Sequence, residues 1–259
     1  MFVNGHVIGM IMFIVTTIAI YWYMERVKKG AEIFVRPLPA MVAIDEAMGR
    51  CAETGKPAHF TPGFSVGGLN HPIMGPGVMA GLTILNRVAE SAAKHGVRLI
   101  VSLAQPEAVA LATEIVSNAY KLENQPVPIG AVRFISSEQY PYTAGVLSTL
   151  MEERPAANLM FGYFWSEALQ FAQAGNYLGC MQLAGTDSIG NLPFLVLTCD
   201  YCLIGEELYA AAGSVEKSPA MLGSLRGQDI LRLMAVISMI LIWLGSNFGL
   251  SWITDLFRA

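Results

Sequence analysis

Hydrophobic and polar positions divide this chain into an uncharged run near each end and a central region of short apolar runs. Val7–Met24 holds 18 consecutive residues without a formal charge, and Leu233–Ile253 holds 21. A helix rises about 1.5 Å per residue and the hydrocarbon layer of a bilayer is about 30 Å thick, so either run is long enough to cross a membrane. The pattern predicts one transmembrane helix at each end of the chain.

Each terminal run has an alternative interpretation. The first run also suits a cleaved signal peptide, but Met1–His6 contains no Lys or Arg, and Tyr21-Trp22-Tyr23 stands where cleavage would fall. Those aromatic residues fit a membrane interface better. The second run also suits a buried or interfacial helix, because Gly245-Ser246-Asn247 interrupts its apolar residues. We predict a membrane span in both cases.

The positions of Lys and Arg predict the orientation. None precedes the first run, whereas Arg26, Lys28, Lys29 and Arg36 follow it. Three precede the second run and only Arg258 follows it. Cytoplasmic flanks carry the excess of positive charge, so we expect a multi-pass protein of the cell membrane with a cytoplasmic central domain. The predicted boundaries are 1–29 for the first anchor, 30–228 for the domain and 229–259 for the second anchor.

Between the anchors, strand-sized apolar runs alternate with segments of helical periodicity. The predicted strands are Ile33–Val35, Ala58–Thr61, Arg98–Leu103, Val132–Ile135, Asn158–Tyr163, Cys180–Leu183 and Phe194–Thr198. The predicted helices are Met41–Cys51, Val78–His95, Pro106–Lys121, Ala144–Glu153, one from Ser166, and Tyr201–Ala212. Such alternation, with strands that are apolar on both faces, predicts an α/β domain with a mostly parallel sheet and helices on both faces.

The longest predicted loop is Pro62–Gly77, which contains five glycines and three prolines. This composition is unfavourable for a regular helix or strand. Loops of that length in compact domains are usually functional or face a partner. We therefore expect the loop to be part of a binding surface.

Composition excludes one class of partner. The net charge is −4, with 16 basic and 20 acidic residues, so the chain has no basic field for nucleic acid. Charged residues make up only 14% of the chain against 54% apolar residues, which leaves few charges to cover the domain in water. Four cysteines without disulfide-framework spacing fit a reducing compartment.

The carboxyl ends of parallel strands are where such sheets bind ligands. Polar residues follow the predicted strands at these ends, and they form a candidate ligand rim: Thr61, Ser65, Gln105, Glu107, Ser136, Glu138, Asp187 and Asp200. The same residue types cap helices and occupy their first turns. Both interpretations of the rim stay open from the sequence.

Three short motifs are interpreted as structural. Gly75–Gly81 has the spacing GxGxxxG but stands far from a strand, and Gly63–Gly67 spells GxSxG without a helix directly after it. Cys199–Cys202 spells CxxC, and we interpret it as a pair of core thiols, with redox or metal-binding roles as alternatives. No catalytic residue, metal or cofactor is assigned.

Gly55–Gly63, with the sequence GKPAHFTPG, lies between the two predicted anchors. With that arrangement it resembles an uncharacterised family of prokaryotic membrane-anchored α/β-domain proteins. The resemblance implies the architecture and no activity.

Two functional hypotheses remain. The first is a membrane-anchored scaffold that contacts lipid and self-associates or docks a larger complex. Its candidate interface residues, which we expect to be exposed, are Phe64, Leu69 and Ile73. The second is a membrane-tethered sensor or enzyme that binds a small ligand at the rim.

Overall fold

The computed structural model describes residues 7–29, 36–216 and 219–247. The described helices are α1 (Val7–Lys28), α2 (Pro39–Thr54), α3 (Met74–Lys94), α4 (Pro106–Leu122), α5 (Gln139–Glu153), α6 (Glu167–Leu178), α7 (Leu192–Thr198), α8 (Glu207–Glu216) and α9 (Pro219–Asn247). The described strands are β1 (Ala58–Gly63), β2 (Leu99–Leu103), β3 (Val132–Phe134), β4 (Ala157–Tyr163), β5 (Met181–Thr186) and β6 (Tyr201–Ile204). The chain divides into a central unit, Arg36–Glu216, and a second unit formed by the two terminal segments.

The central unit is built on one six-stranded sheet with the order β3-β2-β1-β4-β5-β6. Every neighbouring pair of strands is parallel. The predicted α/β class with a parallel sheet is therefore confirmed. The chain runs outward from β1 to β3, returns to the middle at β4 and continues to β6, so the direction of winding reverses between β1 and β4.

Helices cover both faces of this sheet. On one face α3 packs against α2, α4 and α8, and on the other α6 packs against α5 and α7. All side chains of β1, β2 and β5 are buried, as expected for strands between two helical layers. On the α5–α7 face the aromatic core includes Tyr142, whose ring lies 5.9 Å from Phe171 edge-on and 6.1 Å from Phe64 in a stacked arrangement.

The predicted strand at Phe194–Thr198 is wrong, because this segment is helix α7. Its apolar run resembles a buried strand, yet Leu197 is 83% exposed and Leu195 is the buried residue of the helix. A short apolar run does not distinguish strand from helix by periodicity alone. The following strand β6 and helix α8 replace the single helix predicted over Tyr201–Ala212.

The irregular loop after β1 is also shorter than predicted. Strand β1 extends through Gly63, and α3 already begins at Met74. Pro76 is compatible with a helix here because it lies in the first turn, where an amide hydrogen has no helical partner. The loop thus comprises Phe64–Ile73, and Phe64 within it is buried in the core at 3% exposure, so the expectation that Phe64 is exposed is wrong.

The terminal unit is a pair of packed helices. Gly223 of α9 lies against Met24 of α1, and Gly227 lies against Ile20. Residue numbers therefore increase along α9 in the direction in which they decrease along α1, so the two helices are antiparallel. A side chain at Gly223 would stand 2.7 Å from the Met24 amide nitrogen. The spacing of these two glycines is that of small-residue contacts between membrane helices.

Within the described residues, one helical segment, Arg226–Leu244, is long and apolar enough to cross a membrane by length and composition. The predicted strand Ile33–Val35 and the end of the predicted span, residues 248–253, lie outside the described residues.

Candidate functional site

A cleft of about 740 Å³ opens at the carboxyl ends of β1, β2 and β3. The loops that follow these three strands form its walls, and we call it the rim cleft. It is lined by Phe64, Ser65, Val66, Gly67, Gly68, Ala104, Gln105, Glu107, Ser137, Glu138, Gln139, Tyr140 and Pro141. Its volume lies within the range of about 300–1,000 Å³ that is typical of small-molecule sites.

Hydrogen bonds fix the loop after β1 against the start of α4. Glu107 Oε1 accepts from the amide of Leu69 at 3.1 Å, and Ser65 Oγ donates to the carbonyl of Gly68 at 2.7 Å. Gly68 has φ +79°, and a Cβ there would collide with the Glu107 carboxylate. The loop therefore requires glycine at this position and presents its backbone to the cleft.

The opposite wall begins at the first turn of α5. Gln139 Nε2 donates to Glu167 Oε2 at 2.8 Å, and the same carboxylate accepts from the Trp165 amide at 2.9 Å. Glu167 is fully buried. Its two bonds tie the start of α5 to the loop after β4, which stiffens this side of the cleft.

Gln105 lines the cleft, and its side-chain amide is an unsatisfied polar group. The residue is 1% exposed, and neither Nε2 nor Oε1 has a hydrogen-bond partner within the described part of the chain. A buried amide without partners costs roughly 1–3 kcal/mol as judged from protein mutations. The described part of the fold therefore leaves the hydrogen-bonding capacity of the Gln105 amide unused.

Two helices also start at the rim cleft. Gln105 and Glu138 occupy the positions preceding α4 and α5, and neither side chain caps its helix. The first amides of a helix have no acceptor one turn earlier, but Pro106 in α4 and Pro141 in α5 have no amide hydrogen to present. The dipole of each helix adds a partial positive charge of about half a unit at this end.

The structure brings four of the eight predicted rim residues together in the cleft, namely Ser65, Gln105, Glu107 and Glu138. Ser136 lies beside them, where its Oγ accepts from the Glu138 amide at 3.1 Å. Thr61 is instead buried inside β1, hydrogen-bonded to the hydroxyl of Tyr142.

The remaining two predicted rim residues lie elsewhere. Asp187 follows β5 and accepts a hydrogen bond from the Tyr209 hydroxyl, and burial raises the pKa of its carboxyl. Asp200 precedes β6, so it lies at the amino end of the sheet, where its Oδ2 accepts from the Gln182 amide at 2.7 Å. The expectation that Asp200 follows a strand is wrong because the segment before it is helical.

Sequence reasoning missed a chain of buried polar side chains across the sheet, which we call the polar ladder. It takes one residue from each of β2, β1, β4 and β5: Ser102, His59, Asn158 and Gln182. All four are buried, and His59, Asn158 and Gln182 stand side by side in the parallel register. The signal in the sequence is a polar residue near the middle or start of each of these largely apolar strands.

Hydrogen bonds connect the polar ladder end to end. His59 Nε2 lies 3.0 Å from Ser102 Oγ, and His59 Nδ1 lies 2.9 Å from Asn158 Oδ1. Asn158 Nδ2 donates to Gln182 Oε1 at 3.2 Å. Gln182 Nε2 then donates to the Ala172 carbonyl at 2.9 Å, with Asn176 Oδ1 and the Thr198 carbonyl also in range.

These partners assign the protonation of His59. Asn158 Oδ1 only accepts, so His59 Nδ1 carries the hydrogen and Nε2 accepts from the Ser102 hydroxyl. Burial lowers the pKa of His59 to about 4, against an opposing contribution from the Asn158 bond. His59 is therefore a neutral structural residue of the core.

The cysteines have the properties of unreactive thiols. Burial raises the pKa of Cys199 to about 12 and that of Cys202 to about 11. Both are half-buried against the core on the α5–α7 face. A reactive thiol needs a lowered pKa, so this geometry favours the structural interpretation of the CxxC motif. Among the described residues, no group of three His, Cys, Asp or Glu side chains is placed to hold a metal ion.

The glycine motifs also serve packing. Gly81 of α3 meets the carbonyl of Phe161, and a Cβ on Gly77 would stand 3.1 Å from the Cβ of Tyr163, so both glycines allow α3 to approach β4. Ser65, the central residue of GxSxG, is buried and bonded to its own loop, and the next helix starts only at Met74. A serine elbow is not formed.

Comparison with known proteins identifies the family. No curated protein and no solved structure matches the chain. The model of a domain of unknown function (DUF6754) matches residues 1–257. The expected membership of an uncharacterised family is confirmed, and the chain belongs to the DUF6754 family.

Proposed function

We propose that this protein is a membrane-tethered domain that binds a small polar ligand in the rim cleft. The observation that carries the proposal is the buried, unpartnered amide of Gln105, a lining residue of a cleft of ligand size. The cleft lies where parallel sheets bind ligands, beyond the carboxyl ends of the strands and beside the reversal of strand order. A bound ligand would supply the hydrogen bonds that the fold does not.

Gln105→Leu tests this proposal through two opposite effects. In the ligand-free protein the variant should be more stable than wild type, by about 1–3 kcal/mol, because an unsatisfied amide is replaced by an apolar side chain. It should also lose any thermal stabilisation that wild type gains from a library of small polar metabolites. The measurement is a thermal shift of the full chain in mild detergent.

The matched control for this test is Gln125→Leu, which changes an exposed glutamine outside the cleft. It should leave stability and ligand response near wild type. A fall in stability of Gln105→Leu would show that this side chain has a structural partner. A library without a single stabilising compound for wild type would contradict ligand binding itself.

The tether consists, in this proposal, of α1 and α9 as two antiparallel spans, with the central domain in the cytoplasm. Both helices leave large apolar side chains exposed, among them Phe13, Ile18, Leu233 and Met239, which lipid would cover. The hydroxyls of Thr16, Thr17 and Ser238 donate to backbone carbonyls one turn earlier, which satisfies them without water. An antiparallel pair also agrees with the Lys and Arg distribution at both ends.

Reporter fusions test the topology. A reporter that is active only in the cytoplasm should be active when inserted after Glu216 and inactive when fused after Ala259. The reason is that two spans place both termini on the outer side. Expression of both fusions is checked by immunoblot. The reverse pattern, or activity at both positions, would contradict two spans with a cytoplasmic domain.

Self-association as a scaffold is the second candidate function, and one surface observation favours it. Ile73 is 69% exposed, and Leu69 in the same loop is half-buried. Exposed large apolar side chains that form one patch are typical of protein contacts. Phe64 is excluded from this interface because it belongs to the core.

Replacing both Leu69 and Ile73 by serine should convert an oligomer of the full chain into smaller particles. Burial of each side chain contributes roughly 1.5–3 kcal/mol, so their loss weakens a modest interface strongly. Light scattering in detergent measures the mass. Ile129→Ser is the control, since Ile129 is 99% exposed and lies in another loop. A monomeric wild type, or an unchanged double variant, would remove this candidate.

A further inference from the structure

We infer that the ligand of the rim cleft is a neutral or cationic molecule with an amide-like edge, one that carries a hydrogen-bond donor and an acceptor side by side. This inference rests on the proposed function and adds the chemical class. Primary carboxamides and the edges of nucleobases have such an edge. The same reasoning excludes ligands held mainly through phosphate or another anion.

Gln105 defines the donor–acceptor requirement. Its side chain offers hydrogens on Nε2 and lone pairs on Oε1, and all of them are unpaired in the described part of the chain. A ligand with only acceptors would leave Oε1 unsatisfied, and a ligand with only donors would leave Nε2 unsatisfied. A ligand with both, at amide spacing, pairs with both atoms once the Gln105 side chain turns into the cleft, because both atoms are buried in this structure. Sites built in this way reject analogues that lack one of the groups.

Charge in the cleft opposes an anion. Glu107 and Glu138 line it, and none of its lining residues is Lys, Arg or His. Two carboxylates contribute −2, while the starts of α4 and α5 contribute about +0.5 each. The sum is negative at about −1. A phosphate group entering this site would meet repulsion that a neutral or cationic ligand does not.

The helix starts are also poor phosphate sites in their own right. Pro106 is the first residue of α4 and has no amide hydrogen to donate. Pro141 removes a second donor from the first turn of α5. Phosphate loops depend on several convergent backbone amides at one helix start. The doubly wound strand order is therefore present without the electrostatics that a dinucleotide pyrophosphate needs.

Tyr140 adds a preference for flat molecules. It lines the cleft and is 84% exposed, so its ring is accessible at the mouth. Aromatic rings stack in offset or edge-on arrangements with other planar groups. A planar ligand whose polar edge reaches Gln105 can place its face against this ring.

Paired probes test the inference on the full chain in detergent. The first pair is nicotinamide and nicotinate, in which a carboxylate replaces the amide edge. The second pair is adenosine and adenosine 5′-monophosphate, in which a phosphate is added. Calorimetric titration should show the first member of each pair binding at least about tenfold more tightly. Gln105→Leu should abolish this binding, whereas Gln125→Leu should retain it. Glu138→Gln, which removes one negative charge at constant shape, should narrow the difference between adenosine and its monophosphate.

The outcomes separate the ligand class from the proposed function. Tighter binding of the anionic members, or a difference unaffected by Glu138→Gln, overturns the charge argument. Binding of library compounds that depends on Gln105, combined with no binding of nicotinamide or adenosine, overturns the amide-like edge and leaves ligand binding intact. Absence of any Gln105-dependent ligand overturns both.

Discussion

Asn158→Leu is expected to lower the free energy of unfolding of the central domain by about 4 kcal/mol. The substitution leaves the His59 Nδ1 hydrogen and Gln182 Oε1 buried without partners. Each unsatisfied group costs about 1–3 kcal/mol, and the added repacking brings the total to this magnitude. For a domain of this size the melting temperature should fall by roughly 8–16 °C.

Chemical denaturation of the full chain in detergent, followed by circular dichroism, measures this effect. Asn118→Leu is the matched control, because Asn118 is exposed on α4 and its loss should change stability by less than about 0.5 kcal/mol. The double variant His59→Leu, Asn158→Leu should lose less free energy of unfolding than the two single variants lose in total. The reason is that each single substitution already leaves the other residue of the pair without its hydrogen-bond partner. A cost below about 1 kcal/mol for Asn158→Leu would contradict a continuous polar ladder.

The polar ladder also has a role in specifying the sheet. Its members pair His59 with Asn158 and Asn158 with Gln182 in the parallel register of β1, β4 and β5. A slip of one residue would turn these side chains to the opposite face and bury them among apolar groups. The ladder thus fixes the register of β1, whose carboxyl end is one of the three that form the rim cleft.

The elements predicted well from sequence are those in which local residue preferences and the burial of the element indicate the same structure. The run over Leu99–Leu103 is apolar except for Ser102, and it forms a strand buried on both faces. Pro106 and Glu107 mark the start of α4 by ordinary first-turn preferences, and Gly55 ends α2 in a left-handed conformation. In these segments local preference and tertiary packing agree.

Prediction failed where tertiary contacts decide between alternatives. Leu192–Thr198 is as apolar as a core strand but forms an exposed helix, and this error placed Asp200 at the wrong end of the sheet. Phe64 lies in a glycine-rich loop, yet its stacking on Tyr142 buries it. No local pattern in the sequence reports that contact.

The candidate site shows the same division. The carboxyl-end rule brought Gln105, Glu107 and Glu138 into the predicted rim, and these residues do meet in one cleft. What sequence could not provide is that the amide of Gln105 has no partner among the described residues. Whether a polar side chain finds hydrogen-bond partners depends on atoms from several loops, which only three-dimensional packing brings together.

The stability of the domain should fall by about 3 kcal/mol as the pH decreases from 6.5 to 4, through His59. Burial lowers the pKa of His59 from 6.5 in an unfolded chain to about 4 in the native protein. Between these values the unfolded state binds a proton that the native state excludes, so acid favours unfolding. The 2.5-unit difference at about 1.4 kcal/mol per unit gives the stated magnitude. The contribution is complete above pH 6.5 and is lost toward pH 4.

Other titrating groups act in different directions or windows. The hydrogen bonds from Arg98 and Arg133 lower the pKa of Glu153 below its usual value of 4.5, so the stability that this carboxylate contributes is lost only below that pH. Burial raises the pKa of Asp187, and protonation there favours the native state as pH falls.

A comparison of wild type with His59→Gln cancels the contributions of Glu153 and Asp187, because both carboxyl groups are present in the two proteins. His59→Gln should be the less stable protein at pH 7, and the two stabilities should converge by about 2–3 kcal/mol at pH 4.5 in urea titrations of the full chain. A constant difference across this range would mean that His59 titrates alike in the native and unfolded states, and therefore that the polar ladder does not hold it neutral.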